Sequence, residues 1–338
     1  MKTGILLINL GTPDSPSTSD VRKYLLEFLM DRRVIDIHPV SRWFLINCII
    51  APLRAPKSAK LYEKIWTNEG SPLLVHGLAL KEKLQLKLGN DFVVAFGMRY
   101  QKPSIASALE ELRKANVEKI IALPLYPQYA SSSTGSTVEA LMKAFESWEV
   151  TPELKIISNF YHRKEFIDSL LSVASAFNPT DYDHVLFSFH GLPERHIKKS
   201  DAHYGDGNCH FGKCCEIRTE GNNYCYRANC VQTAISIAKG MNISQENYTI
   251  AFQSRLGRDP WIKPYSDFEL IRLAKEGKKK ILAFSPAFVA DCLETLYEIG
   301  TEYNDLFREH GGEKVQLVPS LNSNDVWVNG VAKILFEA

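Results

Sequence analysis

KILAFSPAFVADCLETLYEIGTE, residues 280–302, decides how the chain is read. ILAF, residues 281–284, is a short apolar run behind three lysines, and it predicts a buried parallel strand ended by Ser285 and Pro286. The spacing then predicts a helix over 291–302 with Leu293, Leu296 and Ile299 on its inner side. Asp291, Glu294, Glu298 and Glu302 fall at i, i+3, i+7 and i+11, so an α-helix stacks four carboxylates on one face. No Lys or Arg between Lys280 and Glu302 offsets their repulsion, about 0.2–0.5 kcal/mol per pair. Either this is a solvated face, or it is a row of hard oxygen ligands for a divalent cation, delivered into a crevice by a parallel strand.

Outward from this stretch the strand and helix alternation recurs. TGILLINL, residues 3–10, is a continuous apolar strand followed by Gly11, Thr12 and Pro13, then by a helix that residues 17–20 can cap. One glycine in that loop makes neither a dinucleotide fingerprint nor a P-loop. Residues 92–97 and 119–124 read as further strands, and 154–157, 184–190 and 248–253 repeat the pattern in the second half. The expectation is an α/β fold of two doubly wound units, residues 1–150 and 151–322, with a cleft between them. A final helix within 323–338 is expected to pack back on the first unit.

In such sheets functional groups gather at the carboxyl ends of strands. Arg99, Tyr100, Tyr126, Tyr129 and residues 131–133 stand there, a set suited to a flat apolar molecule bearing carboxylates. His190 ends the apolar strand HVLFSFH and precedes Gly191. It is either a satisfied structural histidine or a proton acceptor and metal contact working with the acidic helix across the same sheet edge. RWFLINCIIAPLR, residues 42–54, is either a core helix or an exposed apolar lip that meets a bilayer, with Arg42 and Arg54 at the head-group level.

The chain has 338 residues, 45% hydrophobic and 23% charged, enough for two cores, and its net charge of +1 offers nothing to nucleic acid. No 18-residue apolar run and no export signal stand in it, so a cytoplasmic location is expected. Five of seven cysteines, Cys209, Cys214, Cys215, Cys225 and Cys230, crowd into a polar insertion at about 197–230 that also carries His203 and His210. Their spacing matches no named motif; a structural metal or iron–sulfur cluster is one reading, and reduced or paired thiols are the other.

Taken together, FSFHGLP (187–193), FQSRLGRDPW (252–261), LYPQYASSSTGS (125–136) and DCLETLYEI (291–299) resemble the ferrochelatase family, which inserts ferrous iron into a porphyrin. ILLINLGTP (5–13) and the Ser-Leu-Asn from Ser320 extend the resemblance over nearly the whole chain. It implies two Rossmann-like domains of the class II chelatase architecture, and His190 and Glu294 as the catalytic pair. Asp291 and Glu298 extend the metal-handling set. Leu10, Arg54, Tyr62, Ser71, Arg99, Tyr126, Ser132, Gln253, Ser254 and Trp261 match positions lining the porphyrin pocket, and the 42–54 lip matches a segment that rests on membranes. Iron is then substrate and no cofactor is required. A [2Fe–2S] cluster, carried on a C-terminal tail in animal members, would here take its ligands largely from the cysteine insertion. Protoporphyrin is the expected substrate. The alternatives are coproporphyrin, a cobalt chelatase acting on sirohydrochlorin, and a porphyrin or haem carrier without chemistry.

Overall fold

Strands of a parallel sheet covered on both faces must be apolar throughout. β1 (Thr3–Gly11) meets that demand, with Ile5, Leu6, Leu7 and Ile8 fully buried. The structure is a computed structural model that describes residues 2–203, 207, 209–210, 212–255, 257 and 259–336, the side chains of 202 and 203 excepted, so the His203 side chain lies outside what is described.

The chain divides into two units. The first comprises Met1–Tyr126, Ser131–Asn159 and Asn322–Ala338, and the second Pro127–Ala130 and Phe160–Leu321. In the first, β1 leads to α1 (Thr18–Leu29), α2 (Pro39–Phe44), a π-helical turn (Leu45–Ile50), α3 (Ala51–Ile65) and α4 (Pro72–Leu88). β2 (Phe92–Tyr100), α5 (Ile105–Lys114), β3 (Lys119–Pro124), a second π-helical turn (Ser131–Gly135), α6 (Ser136–Phe145) and β4 (Glu153–Ile156) follow. The second unit holds α7 (Lys164–Ala174), β5 (His184–His190), α8 (Glu194–His203), α9 (Tyr226–Gly240), β6 (Tyr248–Gln253), α10 (Ser266–Lys275) and β7 (Lys280–Phe284). A π-helix (Leu293–Tyr303), α11 (Asn304–Glu309) and β8 (Lys314–Leu317) complete it, and α12 (Asp325–Phe336) returns to the first unit and packs against α4.

Both sheets are parallel and share one order, β2-β1-β3-β4 and β6-β5-β7-β8. Right-handed crossovers that leave β1 in one direction and return past it in the other place helices on both faces. The order therefore reverses between β1 and β3, and again between β5 and β7; the carboxyl ends of those pairs form each sheet's natural ligand crevice. In the first unit Leu6, Ile8, Ala95, Ile120 and Ala122 pack against Ile105, Ala108, Leu109 and Leu112 of α5. Ser17 and Ser104 cap α1 and α5 by accepting from the backbone N–H groups of Asp20 and Ser107. Gly11 (φ +121°) closes β1 against the end of β2, where a Cβ would lie 2.1 Å from the Tyr100 carbonyl oxygen.

The acidic stretch departs from its α-helical expectation. Its bonding is i→i+5, so the turn is wider and residues four apart share a line. The buried stripe is Thr295, Ile299 and Tyr303, not Leu293, Leu296 and Ile299. Ile299 and Tyr303 enter the second core beside Leu186, Ala251, Leu270, Ile281, Phe307 and Val315. Glu294, Glu298 and Glu302 run parallel to that stripe, one residue behind. Asp291 precedes the helix, beyond the extended Cys292, and does not belong to the row.

Candidate active site

His190 is the last residue of β5 and lies level with Gln253, the last residue of β6. The two strands close tightly there. Gly191 N–H donates to the Gln253 carbonyl at 2.8 Å, and a Cβ on Gly191 would meet that same oxygen at 2.8 Å. His190 Nδ1 stands 2.7 Å from the Gly191 carbonyl oxygen. A carbonyl only accepts, so Nδ1 carries the proton and, in the neutral ring, Nε2 keeps its lone pair. The Tyr226 hydroxyl of α9 holds the His190 carbonyl at 2.8 Å, and the rings of Trp261 and Phe288 flank the imidazole, each with centroids 6.5 Å away.

The π-helix meets this strand pair through Gln253. Its Nε2 donates to the Glu294 carbonyl oxygen at 3.2 Å and to Glu298 Oε2 at 3.0 Å. Glu298 also accepts from the hydroxyls of Ser254 and Tyr303. Burial, reinforced by Glu298, holds the Tyr303 hydroxyl above the usual phenol range, so it stays a donor. Cys292, buried, is likewise pushed well up, and its thiol hydrogen-bonds Glu294; it is a neutral donor rather than a thiolate ligand. Partial desolvation, with the charges of Glu298 and Asp267 nearby, raises the Glu302 carboxyl. Asp291, expected in the metal-handling set, is turned inward: its Oδ1 accepts from Thr295 Oγ1 at 3.1 Å and from Ser320 N–H at 3.2 Å.

Several expected porphyrin contacts in the first unit are occupied within that unit. Arg99 Nη2 donates to Asp31 Oδ2 at 2.7 Å and its Nε to Ser136 Oγ at 2.7 Å. Tyr100 is 0% exposed and donates to the same Asp31 oxygen at 2.9 Å, so it is an interior anchor and not a ligand contact. Burial, with Asp31 beside it, raises its hydroxyl above the phenol range. Tyr126 is buried with its hydroxyl 3.3 Å from Thr137 Oγ1. Ser71 is buried just before α4, where its hydroxyl makes no capping bond and accepts from Thr12 Oγ1 at 2.8 Å instead. Tyr62 lies in an aromatic run with Tyr24 and Trp66. Leu10 and Ser132 are half-buried, and Arg54 is exposed on α3. Gln253 and Trp261 are buried as well, and the amide of Gln253 serves the π-helix. Asp31 and Tyr226 carried no sequence signal, and Ser136 none beyond its place in the stretch 125–136, since each acts through a partner distant in the chain.

Residues 42–54 are not a core helix. Trp43, Phe44, Ile49 and Leu53 are exposed, the last at 69%, and of the apolar side chains there Ile46 and the small Ala51 are fully buried. Among the described residues no helix is long and apolar enough to cross a membrane.

The insertion places Cys214 and Cys225 against the buried Cys215. A hydrogen bond from the Cys225 thiol, aided by Arg227, lowers the Cys215 thiol, while that same bond and burial raise Cys225. Among the described residues no disulfide joins the cysteines. Among the described residues, no three or more His, Cys, Asp or Glu side chains are arranged to hold a metal. The cluster expected on Cys209, Cys214, Cys215, Cys225 and Cys230 therefore has no support in this arrangement, and no step is derived through it.

Two parallel sheets of this order, with a histidine at the end of β5 and an acidic helix after the adjoining strand β7, define a chelatase-type fold. SirB, a sirohydrochlorin chelatase from Bacillus subtilis subspecies spizizenii solved with cobalt, superimposes with a TM-score of 0.56 at 11% identity, over 100% of this chain and 95% of its own. A sequence profile of the ferrochelatase family matches residues 2–338. The ferrochelatase of Coxiella burnetii (strain Dugway 5J108-111) is 46% identical over 334 residues, 98% of this chain and 93% of its own. That of Legionella pneumophila (strain Lens) is 44% identical over 337 residues, 100% and 99% of the two chains. The chain belongs to the ferrochelatase family, whose members are metal-inserting lyases.

Proposed function

We propose that the chain inserts Fe²⁺ into protoporphyrin IX, with His190 and Glu294 handling the protons and the metal. The observation that carries this is the shared neighbour Gln253, which is paired with His190 through the strands and hydrogen-bonded to both Glu294 and Glu298. Insertion exchanges two pyrrole N–H protons for one ferrous ion, so a proton acceptor must stand beside the ring. His190 Nε2 is oriented for that task by the bond its Nδ1 makes. Glu294 and Glu298 offer oxygen donors that hold Fe²⁺ less firmly than four pyrrole nitrogens do, so the cation passes onward. A pocket that favours a bent ring over a flat one speeds insertion by differential binding.

Protoporphyrin is favoured over coproporphyrin because the latter brings two more propionates, and the Arg99 guanidinium is already neutralised by Asp31. Anaerobic mixing with Fe²⁺ and either porphyrin tests the assignment. Conversion of the free-base spectrum with turnover and the higher kcat/KM for protoporphyrin is expected. Preference for coproporphyrin overturns the substrate choice, and a spectral shift without metal uptake reduces the protein to a carrier.

The exposed lip adds a second proposal, that of a cytoplasmic enzyme resting on a bilayer. Trp43, Phe44, Ile49 and Leu53 supply the inserted face, with Arg42 and Arg54 at the head-group level. Replacing Trp43 and Phe44 together by serine is expected to lower co-sedimentation with anionic vesicles severalfold while solution turnover persists. Undiminished sedimentation removes the lip from membrane contact.

A further inference from the structure

We infer that Ser266, Ser188 and Gln253 form a buried strut that sets the direction in which Glu298 presents its carboxylate, and so governs metal handling rather than porphyrin binding. This rests on the assignment of Glu294 and Glu298 to the metal. Ser188 is the one hydroxyl inside the apolar strand β5, and it is fully buried, as is Ser266 at the start of α10. Ser188 Oγ lies 2.8 Å from Ser266 Oγ and donates to Gln253 Oε1 at 2.7 Å.

With its own hydrogen committed to Gln253, Ser188 accepts from Ser266, and the chain of donors runs one way. That direction fixes the Gln253 amide: its oxygen faces Ser188, and its N–H groups face the π-helix. One side chain thereby pins the Glu294 carbonyl at the start of the wide-turn helix and one oxygen of Glu298. The sequence resemblance assigns Gln253 to the porphyrin wall, yet it is 1% exposed and spends every polar atom of its side chain on its own unit. Gln253 is thus a positioning residue. Residues that orient metal-handling groups typically change metal affinity or activity about 10–100-fold when replaced.

The test compares Gln253→Met, Gln253→Glu and Ser188→Ala with the wild type in steady-state insertion of Fe²⁺ and, as a second metal, Zn²⁺. Gln253→Met keeps the volume and removes the amide, and Glu298 retains the Ser254 and Tyr303 hydroxyls, so the fold has what it needs. The expected result is a kcat/KM for metal lowered about tenfold or more, with the porphyrin KM within twofold of wild type. Gln253→Glu, which turns an acceptor toward Glu298, is expected to lose more, and Ser188→Ala to lose less in the same direction. Equal damage to both substrates, or wild-type metal kinetics in a folded Gln253→Met, overturns the strut. A wild-type protein that inserts no metal overturns the functional assignment instead, so the two failures are distinguishable.

Discussion

Replacing His190 by alanine is expected to lower metal insertion about a thousandfold while porphyrin affinity stays within about threefold. A positioned general base contributes about 10²–10⁴ in rate, and the ring neighbours of the imidazole among the described residues, Trp261 and Phe288, carry no basic nitrogen to replace it. The small effect on binding follows from area: the ring is one of several apolar groups on that wall, and its loss leaves Trp261 in place. Single-turnover insertion under anaerobic conditions reads the first quantity, and quenching of porphyrin fluorescence reads the second. Turnover near wild type removes His190 from the chemistry. A parallel loss of binding and rate makes it a wall residue instead.

The largest stability effect is expected at Asp31, which no functional motif contains. Its Oδ2 accepts from Arg99, Tyr100 and Ser136, and its Oδ1 from the Arg33 N–H at 2.7 Å. Asp31→Ala removes the acceptor that a largely buried guanidinium and two hydroxyls share. Removing one member of a buried pair costs about 3–5 kcal/mol, and because the Arg99 side chain keeps 20% of its exposure, the lower end applies. Burial alone would raise the Asp31 carboxyl, but Ser136, the Arg33 N–H, Tyr100 and Arg99 outweigh it and hold the group below the ordinary range. A depressed carboxylate contributes fully above its unfolded value of about 3.9 and loses that contribution as pH falls through the lower folded value. The wild type therefore loses its advantage over Asp31→Ala in acid. Urea unfolding of both proteins at pH 7 and pH 3 measures this; a difference under about 0.5 kcal/mol at pH 7, within the range of ordinary surface changes, contradicts it.

Most of the sheet framework was legible because parallel strands with helices on both faces leave continuous apolar runs. β1, β5 and β7 are such runs, and their limits agree closely with the expectation. β8, KVQL, was missed: it is an edge strand of four residues with two charged or polar positions, and it looks like loop. The acidic helix was assigned the wrong turn because a 3.6-residue period was imposed on it. Thr295, Ile299 and Tyr303 repeat every four residues, as do Glu294, Glu298 and Glu302, and that double period was the available sign of a wider helix.

The site divides in the same way. His190 was legible from its strand end and the glycine behind it. Arg99, Tyr100 and Ser71 stand at strand or helix ends too, but partners tens of residues away consume their polar groups, and spacing alone carries no trace of that. Ser188 did leave a sign, since a hydroxyl in a wholly buried strand requires a partner.

A divalent cation soak of crystals grown with the intact protein tests the central claim most directly. With Zn²⁺ standing in for ferrous iron, the anomalous signal is expected within about 2.0–2.2 Å of His190 Nε2 and a Glu294 carboxylate oxygen. A cation held instead by Cys214, Cys215 and Cys225, with His190 Nε2 left uncoordinated, would contradict it.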